Sequence, residues 1–385
     1  MKNWLRKHPQ VRTIRVAAAD LNGQARGKRI PTRFADKVVE DGTRFPMSVL
    51  NLDIWGEDID DSPLVFESGD ADGILHPTER GFLPMPWLDA PSALLPIWMF
   101  HEDGRPYGGD PRHALRAVVD RYKSRGLTPV CAVELEFFLI DDSGRKLQVP
   151  CDDALRAADD AWLFKMLVKG LARRHGFAAS FMAKPYEDYP GSGLHTHFSV
   201  LDKNGNNVFD DGGPQGTAIM RHAVAGCMNA MAGCALVFAP HANSFDRMVP
   251  GAHAPTGISW AYENRTSSIR IPSGSHKARR IEHRVSGGDV NPYLMLAAVL
   301  GAAMNGIEDG AEPPAPITGN AYAAELPQIP GDWKSAIDAF ENSEEVKRIF
   351  APEMVRNFIL TKRQELHYMQ ELTPQEQVEI YLDTV

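Results

Sequence analysis

The sequence predicts an α+β protein, and three observations carry that expectation. Residues 11–100 mix short apolar runs with many Gly, Pro and Asp punctuators. Three later segments place polar groups at every second residue, the period of a strand with one face on a core. Between them lie longer amphipathic stretches with cap residues at their ends, the mark of helices.

The elements follow in chain order. VRTIRVAAADLNGQARGKRIP reads as strand, Asn-Gly turn, strand, because Asn and Gly tolerate the positive φ of a tight hairpin. PSALLPIWMF is a further strand, after the Pro-rich GFLPMPWLDAP. HEDGRPYGGDP is a polar, glycine-rich linker. A helix then opens with Asp110 as N-cap and Pro111 in its first turn, and Gly126 lies past its end. LTPVCAVELEFFLID alternates, so Glu134 and Glu136 share one face and Val133, Leu135 and Phe137 the other. Residues 153–175 form an amphipathic helix stopped by Gly176. FAASFMAKP and GLHTHFSVLD are strands, residues 216–236 a long helix and 278–285 another strand. Asn291-Pro292 opens a further helix, and 330–385 is helical and acidic.

Composition narrows the classes of function. The 385 residues are 43% hydrophobic and 24% charged, as in ordinary globular proteins, with a net charge of −9. An acidic chain is a poor nucleic-acid binder. The apolar stretches 223–240 and 293–307 are short or interrupted, so buried helices are expected rather than membrane spans. MKNWLRKHPQ has no apolar core of a signal peptide. Cys131, Cys151, Cys227 and Cys234 show no paired spacing and are expected as buried, reduced thiols in a cytoplasmic chain.

The period-two segments carry the chemistry: Glu134 and Glu136; His195, His197 and Ser199; Arg280, Glu282 and Arg284. Carboxylates with an imidazole suit Mg²⁺ or Mn²⁺ better than zinc, which favours thiolates or the HExxH spacing. Taken singly, each segment also reads as a solvated face. A second theme is basic: Arg247, Arg265, Arg270, Lys277, Arg279, Arg280 and Arg284 crowd one region of an acidic chain. Arginine forks bind phosphates and carboxylates, so metals beside them point to phosphoryl transfer. No Walker A or Rossmann glycine pattern is present.

VELEFF, PGSGLHTHFS, NSFDRMVPG, NRTSSIRIP and KARRIEHR with NPY occur in an order that resembles the glutamine synthetase family over nearly the whole chain. The resemblance implies a small N-terminal β-grasp domain, residues 1–103. A catalytic domain with an antiparallel sheet and flanking helices follows, residues 108–385. It implies that Glu134, His195 and Glu282 hold one metal and that Glu136 belongs to another. Gly191, Gly193, Arg247 and Arg284 would position glutamate. His197, Ser199, Lys277 and Arg280 would lie along ATP, with Arg265 and Arg270 on its phosphates. Asp53 would be the aspartate that activates the nucleophile from a neighbouring subunit of a double-ring dodecamer; a plain turn aspartate is the alternative. The implied reaction is attack of glutamate's γ-carboxylate on ATP, giving γ-glutamyl phosphate, then displacement of phosphate by an amine.

Two departures from the family pattern stand out. The flap reads VPGAHAP, with Ala252 and His253 where ammonia-using members carry tyrosine and glutamate. A roomier, less anionic pocket favours an organic amine, as in the γ-glutamylpolyamine synthetase branch that EHRVSGGDVNPY also resembles. A polyamine or small monoamine is expected, with ammonia as the alternative. Near Pro150–Cys151 the chain passes almost directly from strand to helix, where the family carries a further unit with two more metal-binding glutamates. Either a segment has been omitted and the numbering closes over it, or the chain lacks it. A true deletion would fit a catalytically inactive regulatory homologue.

Overall fold

In the computed structural model, which describes residues 1–65, 67–140, 152–249 and 254–385, Gly23 adopts φ +77° and closes the first hairpin as the Asn-Gly pair predicts. Strands β1 (Thr13–Ala19) and β2 (Ala25–Pro31) pair antiparallel on either side of it. Strands β3 (Thr43–Pro46), β4 (Asp72–Pro77), β5 (Leu83–Pro84) and β6 (Ser92–Phe100) complete a six-stranded sheet among the described residues. Its order is β2-β1-β6-β4-β3, with β5 beside β6 and β1 parallel to β6. The two faces of this sheet have different destinations. Ile14, Val16 and Ala18 pack with Leu95, Ile97 and Met99 in a local core, whereas Ala17, Ala19 and Leu94 face the larger core of the rest of the chain. Period-two alternation thus joins one sheet to two cores.

The helix Pro111–Lys123 begins where Asp110 accepts a bond from the Arg112 amide, a cap that stabilises by about 1 kcal/mol. Strands β7 (Thr128–Leu135) and β8 (Phe138–Ile140) come next, then β9 (Asp152–Asp153). The helix Ala154–Arg174 follows, with Asp153 as its N-cap and Gly176 at φ +82° beyond its end. After β10 (Ala178–Ser180) and β11 (Leu194–Leu201), the chain adds β12 (Trp260–Tyr262), β13 (Ile269–Ile271) and β14 (Ile281–His283). The second six-stranded sheet runs β12-β13-β14-β11-β7-β9. It is antiparallel as expected except at its edge, where β12 and β13 are parallel. Three-residue strands make that short return possible, and Glu263 turns the chain with φ +54°.

The long helix expected over 216–236 is two pieces, Ala218–Met231 and Ala235–Phe238. Gly216 is at φ +75°, so Thr217 becomes the cap. Gly233 interrupts the second half: a Cβ there would lie 2.3 Å from Ser343 Oγ, so the two segments touch only because it is glycine. The helix Pro292–Asp309, capped by Asn291, is buried on nearly every side at the centre of the main core. No described helix is long and apolar enough to cross a membrane. Cys131, Cys227 and Cys234 are buried and in no disulfide; Cys151 and the Pro150–Cys151 junction lie outside the described residues.

Candidate active site

β11 lies between β7 and β14, and its burial alternates strictly. Leu194, Thr196, Phe198 and Val200 are buried, while His195, His197 and Ser199 occupy the other face. The register sets His195 opposite Glu134 and His197 opposite Glu282, and Arg270 of β13 is also opposite Glu282. Residues far apart in sequence therefore become cross-strand neighbours.

His197 Nε2 is 3.2 Å from Glu134 Oε1. His195 Nδ1 lies 3.6 Å from Glu134 and 3.7 Å from Glu282. Arg270 donates to Glu282 Oε2 at 2.6 Å, and Arg284 donates to the other oxygen. Burial pushes the Glu282 carboxyl up, but Arg284 and Arg270 outweigh it and hold the group below the usual carboxylate range. His195, with a further contribution from His197, holds Glu134 down to about 2. Burial lowers the pKa of His197, so the neutral ring is favoured. Arg280 Nε donates to its Nδ1 at 3.2 Å. That bond places the ring proton on Nε2, facing Glu134.

The donor set fits a hard divalent cation: Glu134, His197 and Glu282 offer ligand atoms within 4.8 Å of one another, and His195 lies beside both carboxylates. Two glutamates with an imidazole are the oxygen-rich mixture such cations accept.

The segment beside these carboxylates depends on glycine. A Cβ on Gly193 would stand 2.9 Å from Arg247 Nη2, and one on Gly191 would stand 2.8 Å from Arg247 Cγ. Arg247 is buried there and donates to the Val285 carbonyl at 2.7 Å. Glu136 Oε2 accepts from the Gly193 amide at 2.8 Å. Arg284, Arg247 and the glycine turn thus converge beside the carboxylates.

Other expected site residues are placed differently. Ser199 Oγ donates to the Arg279 carbonyl at 2.8 Å, which anchors the segment carrying Arg280. Lys277 is exposed on the turn His276–Ala278, and Arg265 is exposed between β12 and β13. Asp53 is buried and accepts from the amides of Trp55 and Glu57 and from Gln364, a turn's hydrogen bonding. It is not among the groups gathered on the sheet. Ala252 and His253 lie outside the described residues. Two residues to which the sequence assigned no role emerge here. Glu263 holds Arg270, and Arg279 reaches the carbonyls of Gly213 and Pro214. Only the density of arginines hinted at the second; nothing local marked the first.

The family model for the catalytic domain of glutamine synthetase matches residues 108–150 and 144–381. The match falls into two parts that overlap at residues 144–150. The γ-glutamylputrescine synthetase of Escherichia coli K12 is 30% identical, covering 98% of this chain and 93% of its own. That alignment spans 441 positions, against 385 residues here. The γ-glutamylethanolamide synthetase of Streptomyces coelicolor is also 30% identical, over 92% of this chain and 89% of its own. Proteins named glutamine synthetase match over similar spans. A solved structure of GmaS with ADP superposes with a TM-score of 0.84 at 27% identity, covering 97% of each chain. The chain belongs to the glutamine synthetase family and is an ATP-dependent ligase that forms carbon–nitrogen bonds.

Proposed function

We propose that the chain joins the γ-carboxylate of glutamate to an organic amine, a polyamine or a small monoamine, through γ-glutamyl phosphate. The observation that carries this reading is a single sheet face on which Glu134, His195, His197 and Glu282 adjoin Arg270 and Arg284. The relatives named for putrescine and ethanolamine products support the amine, as do Ala252 and His253 in the flap.

Glu134, His195 and Glu282 would hold Mg²⁺ or Mn²⁺, with Glu136 toward a second ion; bound there, the cations would offset phosphate charge. His195 is preferred to His197 because Arg280 already donates to His197 Nδ1. A neutral imidazole with that bond keeps its proton on Nε2, the atom that faces Glu134. Arg247 and Arg284, against the Gly191–Gly193 turn, would orient glutamate. Arg265, Arg270, Lys277 and Arg280 would take the phosphates, while Ser199 would act by fixing the Arg279–Arg280 backbone. A γ-carboxylate oxygen attacks the γ-phosphorus and ADP leaves; the amine nitrogen then attacks the acyl carbon, and inorganic phosphate leaves as a proton is lost. Asp53, held by its own turn through Oδ1 and by Gln364 through Oδ2, would activate the nucleophile at a neighbouring subunit's site. The same reading includes domains at 1–103 and 108–385, a cytoplasmic homo-oligomer and, at the flap, His253.

A second reading, a regulatory homologue without catalysis, is favoured by the division of the family match near residues 144–150. One experiment separates the two: phosphate release from ATP with glutamate and Mg²⁺, adding ammonium or single amines, with the intact mass recorded. Amine-dependent release that exceeds the ammonium rate is expected. Faster release with ammonium would make the chain a glutamine synthetase. No release from a chain whose mass matches 385 residues would support the regulatory reading.

A further inference from the structure

We infer that Glu263, a residue that none of the compared motifs includes, is a positioning residue that holds Arg270 ready for the nucleotide's phosphates. The inference rests on the reading of Arg270 given above. Glu263 follows β12 directly and has φ +54°, a left-handed conformation that is uncommon for a residue with a side chain. Such strain persists where the surrounding contacts enforce it. Here those contacts are on the page. The Glu263 carboxylate accepts from Arg270 Nη2 at 3.1 and 3.3 Å and from the Ser273 amide, while the Glu263 amide donates to the Ile271 carbonyl at 3.1 Å. Residue 263 is therefore tied to Arg270 itself and to the C-terminal end of the strand that bears it.

The consequence lies in the geometry of the fork. Arg270 Nη1 is engaged by Glu282 at 2.6 Å, and Nη2 by Glu263, so carboxylates from two separate segments hold the two terminal nitrogens of the guanidinium. Arg270 is 10% exposed and Glu263 46% exposed, so this contact lies at the solvent side of the cluster. Without Glu263, Nη2 loses its acceptor and the guanidinium is held only through Nη1 by Glu282, whose other oxygen already accepts Arg284. Arg270 would then no longer be fixed in one orientation toward an incoming phosphate.

Two substitutions separate this role from mere support of the turn. Glu263→Gln keeps an acceptor for the Ser273 amide but removes the charge; Glu263→Gly removes the carboxylate and relieves the positive φ. Binding of ADP with Mg²⁺, measured by calorimetry, is expected to weaken about tenfold in both, the effect of losing one charge-assisted contact. The KM for ATP should rise in parallel, with the KM for glutamate unchanged and the thermal midpoint of Glu263→Gly not lowered. Wild-type ADP affinity in Glu263→Gly would overturn the inference, as would a wild-type protein that binds no ADP. Weaker ADP binding in the variants of a protein that shows no amine-dependent turnover would uphold this inference while the ligase reading fails.

Discussion

Arg112–Asp159 and Arg270–Glu282–Arg284 are both buried ion clusters made from the same chemistry, yet they are finished differently. Asp159 accepts Arg112 through both oxygens, at 2.9 and 3.0 Å, and also accepts Tyr293 Oη at 2.8 Å. The guanidinium stacks over Trp98 at 4.6 Å. Burial is the largest influence on Asp159 and keeps its pKa raised despite that arginine. Glu282 is also buried, but two arginines hold it ionised, and its neighbours include two histidines and the largely exposed Glu134. One cluster is closed around a single arginine, which bonds Asp159 and is also met by Glu79 at 3.1 Å. The other has more polar groups than it can satisfy internally and opens at its edge, as a site for charged ligands must. Charge surplus, rather than burial, distinguishes binding from bracing.

The largest expected effect breaks the open cluster. Glu282→Gln should lower amine-dependent phosphate release by about a thousandfold, since it removes a candidate metal ligand and the partner of two arginines. A residual rate within about tenfold of wild type would mean that the cluster is structural like its counterpart. The closed cluster should answer in stability instead. Asp159→Ala removes the main partner of a buried arginine, leaving Arg112 only the half-exposed Glu79, and should cost about 3 kcal/mol in urea unfolding, with kcat of the folded fraction little changed. A parallel loss of kcat would erase the contrast.

The smallest effect sharpens the comparison with a half-open pair. Asp20 is fully buried beside the partly exposed Arg26, at 2.6 Å, and burial raises its pKa to about 6 despite that partner. Between roughly pH 4 and 6 the folded chain keeps a proton that the unfolded chain has lost, so this group makes stability fall as pH rises through that window and level off above it. Asp20→Asn should flatten that slope in urea midpoints taken at several pH values. An unchanged slope would mean that Arg26 fully compensates for burial.

Much of the catalytic sheet was legible because a strand advertises its faces. In LHTHFSV the apolar and polar residues alternate without a break, and the structure buries Leu194, Thr196, Phe198 and Val200 as that pattern requires. Caps were legible for a similar reason: Asp110, Asp153 and Asn291 each offer a short acceptor just before a helix, and each accepts an amide there. The break near Gly233 was not legible, because in the chain that glycine is one more small residue, and only the fold packs Ser343 against it. Glu263 was hidden likewise, since nothing in YENRTSS shows that the chain turns back to reach Arg270.

By itself, the sequence determined the α+β class, the hairpin at Asn22-Gly23, the helix caps and which side chains share a face. These depend on local backbone preference and on residue period, both of which are carried within a few positions. Only the tertiary structure decided that His195 stands opposite Glu134, that His197 and Arg270 both stand opposite Glu282, and that Arg247 threads past Gly193. Strand order and register join residues such as His197 and Glu282, 85 positions apart in the chain, and both are set by how whole faces pack together. The charge of each site group then follows from those neighbours, because burial and opposite charges act through space rather than along the chain.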